Sequence, residues 1–268
     1  MTTMWRDAFD RFADPAGARR VAQFAELLGR FPPGRLVDLG AGHGIFARVA
    51  ADLGWQVTAI DARDERFPDD PRITWVTGDV RDFSSAGDFD VISCLGLWYH
   101  LTLEDQRSLA ARCAPRPIIL DTHVAMRDLA DHPAHRRRVS KMLQRDGFTG
   151  RLYHETGMTT RATASVGNEY SFWPTTASLE RLLAEAGYDV LERISPAVHP
   201  DRHFFIARTV ADDVREQVER IVATYLPRAA AGRLAPAAST PAPTGHRPIL
   251  ARLASAVTRT GTKAAPDR

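Results

Sequence analysis

The stretch Val37-Asp38-Leu39-Gly40-Ala41-Gly42-His43-Gly44 constrains the fold more than any other part of the chain. Arg35 to Leu39 has the pattern of a short apolar strand, and after the glycines Ile45, Phe46, Val49, Ala50 and Leu53 recur at helical spacing. The glycines therefore sit where a buried strand turns into a helix. Glycine tolerates positive φ and has no Cβ, so the backbone can turn tightly and approach a ligand closely. The helix start adds unpaired N–H groups and the positive end of a dipole. This suits a nucleotide-like ligand, although an ordinary strand–turn–helix corner has the same pattern. A dinucleotide fingerprint, G-x-G-x-x-G, needs a third glycine where this chain has Ile45. The pattern present is D-x-G-x-G-x-G, from Asp38 to Gly44.

Strand and helix patterns continue along the chain. Trp55 to Ile60 is a second apolar strand that runs into Asp61, and Arg72 to Thr77 is a third that leads into Gly78-Asp79-Val80. Phe89 to Gly96 is a fourth with almost no polar alternation, as expected of a strand buried on both faces of a parallel sheet. A helix from about Thr102 to Arg112 begins at an N-capping threonine, and Arg116 to Leu120 is a fifth strand entering Asp121-Thr122-His123. Thr175 and Thr176 cap a helix with Leu179, Leu182, Leu183 and Ala186 on one face, and Tyr188–Ile194 with His203–Ala207 makes a terminal hairpin. A further helix is expected over 211–226. Open α/β sheets bind ligands at the carboxyl ends of their strands, the edge where Asp61, Asp79 and Trp98-Tyr99-His100 fall.

Asp38, Gly40, Gly42, Asp61, Asp79 and the Phe89-Asp90 strand have the order and spacing of class I S-adenosylmethionine-dependent methyltransferases. The chain resembles that family over roughly residues 30 to 210. The resemblance implies an α/β, Rossmann-like doubly wound fold: a mostly parallel seven-stranded sheet with a reversed last strand and helices on both faces. It also implies S-adenosyl-L-methionine as cofactor. Asp38, Gly40, Ala41 and Gly42 would then lie at its amino-acid part, Asp61 and Ala62 at the ribose and Asp79 and Val80 at the adenine, with Cys94 and Leu95 completing the cofactor set. For Asp61 the capping of a turn is the alternative. Leu97–His100 and Asn168–Gly187 are also similar, more weakly, to enzymes that modify the wobble uridine of tRNA.

Methyl transfer from a sulfonium is an in-line displacement that needs alignment and, for some acceptors, removal of a proton. Histidine titrates close to neutral pH. His100 and His123 are thus candidate bases, with Tyr99 as a third catalytic candidate and Asp121 as an orienting group; each histidine is equally readable as structural. In such folds a substrate-recognition insert commonly precedes the last helix, here about 124–175. Residues 124–150 read as a connecting helix and loop, and 150–175 as an irregular aromatic stretch. Trp98, Asn168, Tyr170 and Trp173 are the candidate substrate contacts, the alternative being that these aromatics staple the loop to the core. Asp131, His132 and His135 are interrupted by Pro133 and lack a well-placed third ligand, so no metal is expected.

The expected acceptor is an O or N atom of a small molecule. Cys94-Leu95-Gly96-Leu97 stands where DNA amino-methylating enzymes carry a (D/N/S)-P-P-(Y/F) segment, which speaks against DNA. RNA, held by Arg136–Lys141 and the basic tail, is the alternative partner, and a non-catalytic cofactor-binding protein is another. The tail from Arg228 has seven basic residues against Asp267, so it carries +6, and with a net charge of +2 the body carries −4. A mildly acidic body does not favour a broad nucleic-acid-binding face. Two domains are expected: 1–226, with the catalytic site, and 227–268, a mostly disordered Ala/Pro-rich tail. Cys94 and Cys113 form no C-x-x-C pair, and MTTMWRDAFDRF lacks the apolar core of a signal peptide. No stretch is long and apolar enough for a membrane span, so a cytoplasmic, membrane-free protein is expected. The oligomeric state is not legible.

Overall fold

The computed structural model describes residues 15–114, 116–128, 137–155, 165–194 and 199–209, with isolated positions 214, 217, 218 and 220. The chain separates into units 1–222 and 223–268. The second unit, the N-terminal stretch MTTMWRDAFDRF, the 131–135 cluster and nearly all of the helix expected over 211–226 lie outside the described residues.

Within the first unit, helix α1 (Pro15–Leu28) leads into β1 (Arg35–Leu39), α2 (Ile45–Asp52), β2 (Gln56–Asp61), β3 (Ile73–Thr77), β4 (Val91–Leu95), α3 (Leu103–Cys113) and β5 (Ile118–His123). Three short strands follow, β6 (Leu143–Arg145), β7 (Phe148–His154) and β8 (Tyr170–Pro174). Then come α4 (Thr176–Glu185), β9 (Val190–Ile194) and β10 (Arg202–Arg208). The main sheet has the order β3-β2-β1-β4-β5-β10-β9, and β10 runs antiparallel to both neighbours. This is a Rossmann-like doubly wound sheet with the reversed strand that the sequence pattern implies.

Successive strand residues enter opposite layers, which explains why the strands are apolar throughout. Leu36, Val91 and Ile119 pack against α1 and α2, whereas Val37, Ile92 and Ile118 pack against α3 and α4. Val21, Phe24, Leu27 and Leu28 give α1 its buried stripe. The Thr102 hydroxyl accepts from the Asp105 N–H to start α3, and the Thr175 hydroxyl accepts from the Ser178 N–H to start α4. The β2–β3 and β3–β4 connections contain only 3₁₀ turns.

Two expectations are corrected. The fifth strand runs on to His123, because β10 pairs with it along its length and Arg202 faces His123 in the register. Asp121 is thereby drawn into the sheet. The second correction concerns 124–175. Among the described residues this insert contains no helix, and its core is the antiparallel sheet β6-β7-β8. Asp146 and Gly147, both at positive φ, close the β6–β7 hairpin; Asp-Gly is a strong hairpin signal. Buried Arg151 fixes the connection to this sheet by donating to the carbonyls of Met126, Arg127 and Ser140 at 2.7–3.0 Å.

Gly150 stands on β7 where β8 leaves no room for a side chain. A Cβ there would stand 2.4 Å from Phe172 Cζ and 2.5 Å from the Trp173 carbonyl oxygen. Gly150→Ala is therefore expected to destabilise the protein by about 1–3 kcal/mol through overpacking. Equilibrium denaturation measures this, and an unchanged midpoint would show that the insert does not pack as described.

Candidate cofactor cleft and active site

A cleft of about 280 Å³ opens at the carboxyl ends of β1, β2 and β4. Gly40, Ala41 and Gly42 form one wall, Asp61 and Ala62 the next, Asp79 and Val80 a third, and Leu95, Tyr99 and His100 close the far side. Gly40 has φ +74°, and a Cβ on it would press to 2.8 Å from Leu97 Cβ. At Gly42, φ is +54° and a Cβ would meet no atom within 4 Å, so the missing side chain leaves open space on the cleft wall.

The carboxylate of Asp61 buttresses that turn. Its Oδ2 accepts from the Gly42 N–H at 2.8 Å and its Oδ1 from the Arg63 N–H at 3.0 Å. Asp79 is held by Arg81, whose backbone N–H and Nε both donate to it at 2.9 Å. The Arg81 hydrogen bonds keep the Asp79 carboxyl below its ordinary range. Asp61 and Asp79 thus face a common cavity beside the glycine turn.

Asp38 is placed differently from the expectation. It is buried behind the turn and absent from the cleft wall, with Oδ1 accepting from the Ser93 hydroxyl at 2.8 Å and Oδ2 without a partner. Burial pushes its carboxyl up to about 7, against the pull of the Ser93 hydrogen bond. Cys94 also lies off the wall, fully buried in the α3/α4 layer, where burial drives its thiol well above the ordinary value.

The two histidines separate clearly. Arg202 Nη1 lies 3.3 Å from His123 Nε2, and Asp201 Oδ2 lies 2.8 Å from His123 Nδ1. A guanidinium only donates, so the tautomer that satisfies both contacts carries its proton on Nδ1 and leaves no lone pair for a substrate. His123 is also buried, stacked on Trp173 at 4.8 Å, and does not line the cleft. His100 does line it. Its Nδ1 is 2.8 Å from Oε1 of buried Glu155, which also accepts from the Ser171 hydroxyl at 2.8 Å. A carboxylate there accepts the proton on Nδ1, and in the neutral ring this leaves the lone pair on Nε2.

Among the substrate candidates the structure redistributes the roles. Trp98 is fully buried in the layer it shares with α3, whereas Tyr99 and His100 of the same 3₁₀ turn reach the cleft. Trp173 is buried too, sandwiched between His123 and Tyr153, and its Nε1–H donates to the Tyr99 carbonyl at 2.9 Å. Asn168 Nδ2 donates to the carbonyls of His100 and Tyr170, tying the insert to the turn, while Tyr170 is exposed and stacked on His154. None of the four lines the cleft; Ser165 and Val166 do. Tyr99 stands on the wall under the Arg202 guanidinium, 5.3 Å from its ring centroid.

Sequence reasoning also missed a charged cluster. Arg20 of α1 and Arg202 of β10 both line the cleft and both grip Asp121, at 2.7 Å and 2.8 Å from their Nε atoms. Burial alone would raise the Asp121 carboxyl, but the two guanidiniums outweigh it and hold it at about 2. Arg20, Arg202 and Glu155 carried no local signal, since each acts on a partner more than 50 residues away in sequence. No group of metal-ligating side chains occurs among the described residues.

This strand order, with a glycine turn and two strand-end acids around one cleft, defines a Rossmann-like fold built for an adenosyl ligand. A methyltransferase-domain family model matches residues 4–193, and the chain belongs to that family. Its cofactor is S-adenosylmethionine. Among solved structures, the N-terminal domain of EvdMO1 with SAH bound is similar at TM-score 0.56 and 18% identity, covering 76% of this chain and 94% of that one. The same domain in the presence of SAH and D-fucose gives 0.55 and 20%, covering 73% and 82%. The glycopeptide N-methyltransferase MtfA complexed with sinefungin gives 0.50 and 21%, covering 74% and 90%. At these identities the likeness establishes the fold. No curated protein matches the chain. No described helix is long and apolar enough to cross a membrane.

Proposed function

We propose that this methyltransferase acts on a hydroxyl or amine of a small molecule and that His100 removes the acceptor's proton. The observation that carries this reading is the His100–Glu155 pair, whose imidazole lines the cleft while the carboxylate is buried behind it. S-adenosylmethionine, when bound, supplies a sulfonium-activated methyl group for in-line displacement. Gly40, Ala41 and Gly42 would hold its amino-acid part, Asp61 would accept from the ribose hydroxyls, and Asp79 with Val80 would take the adenine edge. The open space at Gly42 and the unclaimed lone pairs of Asp61 fit that ligand. The acceptor enters between Tyr99, His100 and the Ser165–Val166 segment. As its proton passes to His100 Nε2, the imidazolium that forms is stabilised by Glu155 on Nδ1.

Ser165 and Val166 of the insert border the cleft, which favours a small acceptor over a broad nucleic-acid face. The basic cluster offers less to RNA, because Arg138 already donates to the Tyr153 hydroxyl at 3.2 Å. Incubation with methyl-labelled S-adenosylmethionine, a panel of phenols, sugars and amines, and total RNA decides the matter. Label is expected in the small-molecule fraction. Label recovered only in RNA would overturn the reading.

A further inference from the structure

We infer that the methyl acceptor is a small acid and that Arg20, Arg202 and Tyr99 hold its carboxylate beside Gly96. The inference rests on the reading of this cleft as a site of methyl transfer to a small molecule. Gly96 follows β4 at φ +95° and lines the cleft, as do both arginines and Tyr99. An atom placed where a Gly96 Cβ would stand has three nearest neighbours, all polar. They are Arg202 Nη2 at 3.3 Å, Arg20 Nη2 at 3.4 Å and the Tyr99 hydroxyl at 3.8 Å. The two guanidinium distances are tight for a methyl group but within hydrogen-bond reach of an oxygen. Three groups able to donate thus converge on one gap in the cleft wall, and the missing side chain at Gly96 keeps it open.

Asp121 does not exhaust the two arginines. It takes Nε and Nη2 from each, so within this cluster one buried carboxylate faces two guanidiniums and one positive charge is left over. Arg20 Nη1 has no hydrogen-bond partner among the described residues, and the side chain is 24% exposed. S-adenosylmethionine adds another positive charge, because its sulfonium and ammonium outnumber its carboxylate. An anionic acceptor is therefore favoured over a neutral one of the same shape. The strand order sets this gap beyond the cofactor's berth. Asp79, Asp61 and the glycine turn lie at the ends of β3, β2 and β1, whereas Gly96, Asp121 and Arg202 lie at β4, β5 and β10. The Tyr99 ring is also 4.4 Å from that of His100, the base proposed above.

Titration calorimetry of hydroxybenzoates and aminobenzoates, each beside its neutral amide, into the complex with S-adenosylhomocysteine tests this, together with turnover of the same pairs. The acids are expected to bind about 10- to 100-fold more tightly than their amides, the range for a charge-assisted pair, and to be methylated in preference. Arg20→Gln should lower that ratio about tenfold, and Arg20→Lys, a point charge in place of a fork, should restore only part of it. The wild-type comparison needs no variant, so a poorly folding Arg20→Gln leaves the test intact. Amides that bind as well as their acids, or no acid bound at all, overturn the inference. Methylation of neutral molecules alone overturns it and leaves the small-molecule reading standing; label in RNA alone overturns both. Decarboxylated S-adenosylhomocysteine separates the acceptor's carboxylate from the cofactor's. Arg20→Gln is expected to change its binding and that of S-adenosylhomocysteine equally; a loss confined to S-adenosylhomocysteine assigns the gap to the cofactor's own carboxylate and overturns the inference.

Discussion

His100→Gln is expected to lower kcat by about two to four orders of magnitude while S-adenosylhomocysteine binds as it does to wild type. The imidazole lines the cleft and is anchored through Nδ1, so its loss removes the proposed proton acceptor and leaves the glycine turn and Asp61 untouched. Glu155→Gln tests the anchor separately. A glutamine can place its amide N–H against Nδ1, which shifts the imidazole proton to Nε2 and presents a donor where the reaction needs an acceptor. A fall in kcat of at least tenfold is expected, with KM for the cofactor unchanged and a displaced pH profile. Glu155 is a positioning residue, so a merely structural role would lower the unfolding midpoint and leave the pH profile of the surviving activity in place. Full activity in His100→Gln would remove the base from the mechanism and leave positioning alone as its source of rate.

Asp38 predicts an unusual dependence of stability on pH. Its folded carboxyl is pushed up to about 7 from the ordinary 3.8, because the group is buried with only the Ser93 hydroxyl to hold its charge. Between those values the folded protein binds a proton that the unfolded chain releases. The stability tied to protonated Asp38 is therefore complete below about pH 4 and is lost as pH rises through 7, by about 4 kcal/mol in all. Asp38→Asn keeps an oxygen for the Ser93 hydroxyl and abolishes the titration. Thermal unfolding of the free protein from pH 5 to pH 8 should show wild type losing ground against Asp38→Asn; parallel curves would refute it. Asp121 behaves in the opposite sense. Its two arginines hold it at about 2, so the stability it contributes is present above its ordinary titration and is lost only in strong acid.

Much of the molecule was legible along the chain because the relevant physics is local. The D-x-G-x-G-x-G pattern needs positive φ within a few residues, and Gly40, Gly42 and Gly44 all adopt it. Apolar runs without alternation announced parallel strands buried on both faces, and threonine caps marked the starts of two helices. The insert was misread although Asp146-Gly147 signalled a hairpin, since the polar alternation of Phe148–His154 is weak beside its aromatics.

What the sequence determined by itself was the strand–turn–helix framework and the edge at which the acids gather, since backbone conformation and period-two or period-3.6 burial depend on near neighbours. Only the tertiary structure decided which histidine faces the cleft. His100 and His123 are the same residue type on adjacent strand ends, and they differ only in what the fold sets beside them. One meets Glu155 from the insert; the other is enclosed by Asp201, Arg202 and Trp173. Protonation and access are set by partners far away in sequence, and no local pattern encodes them.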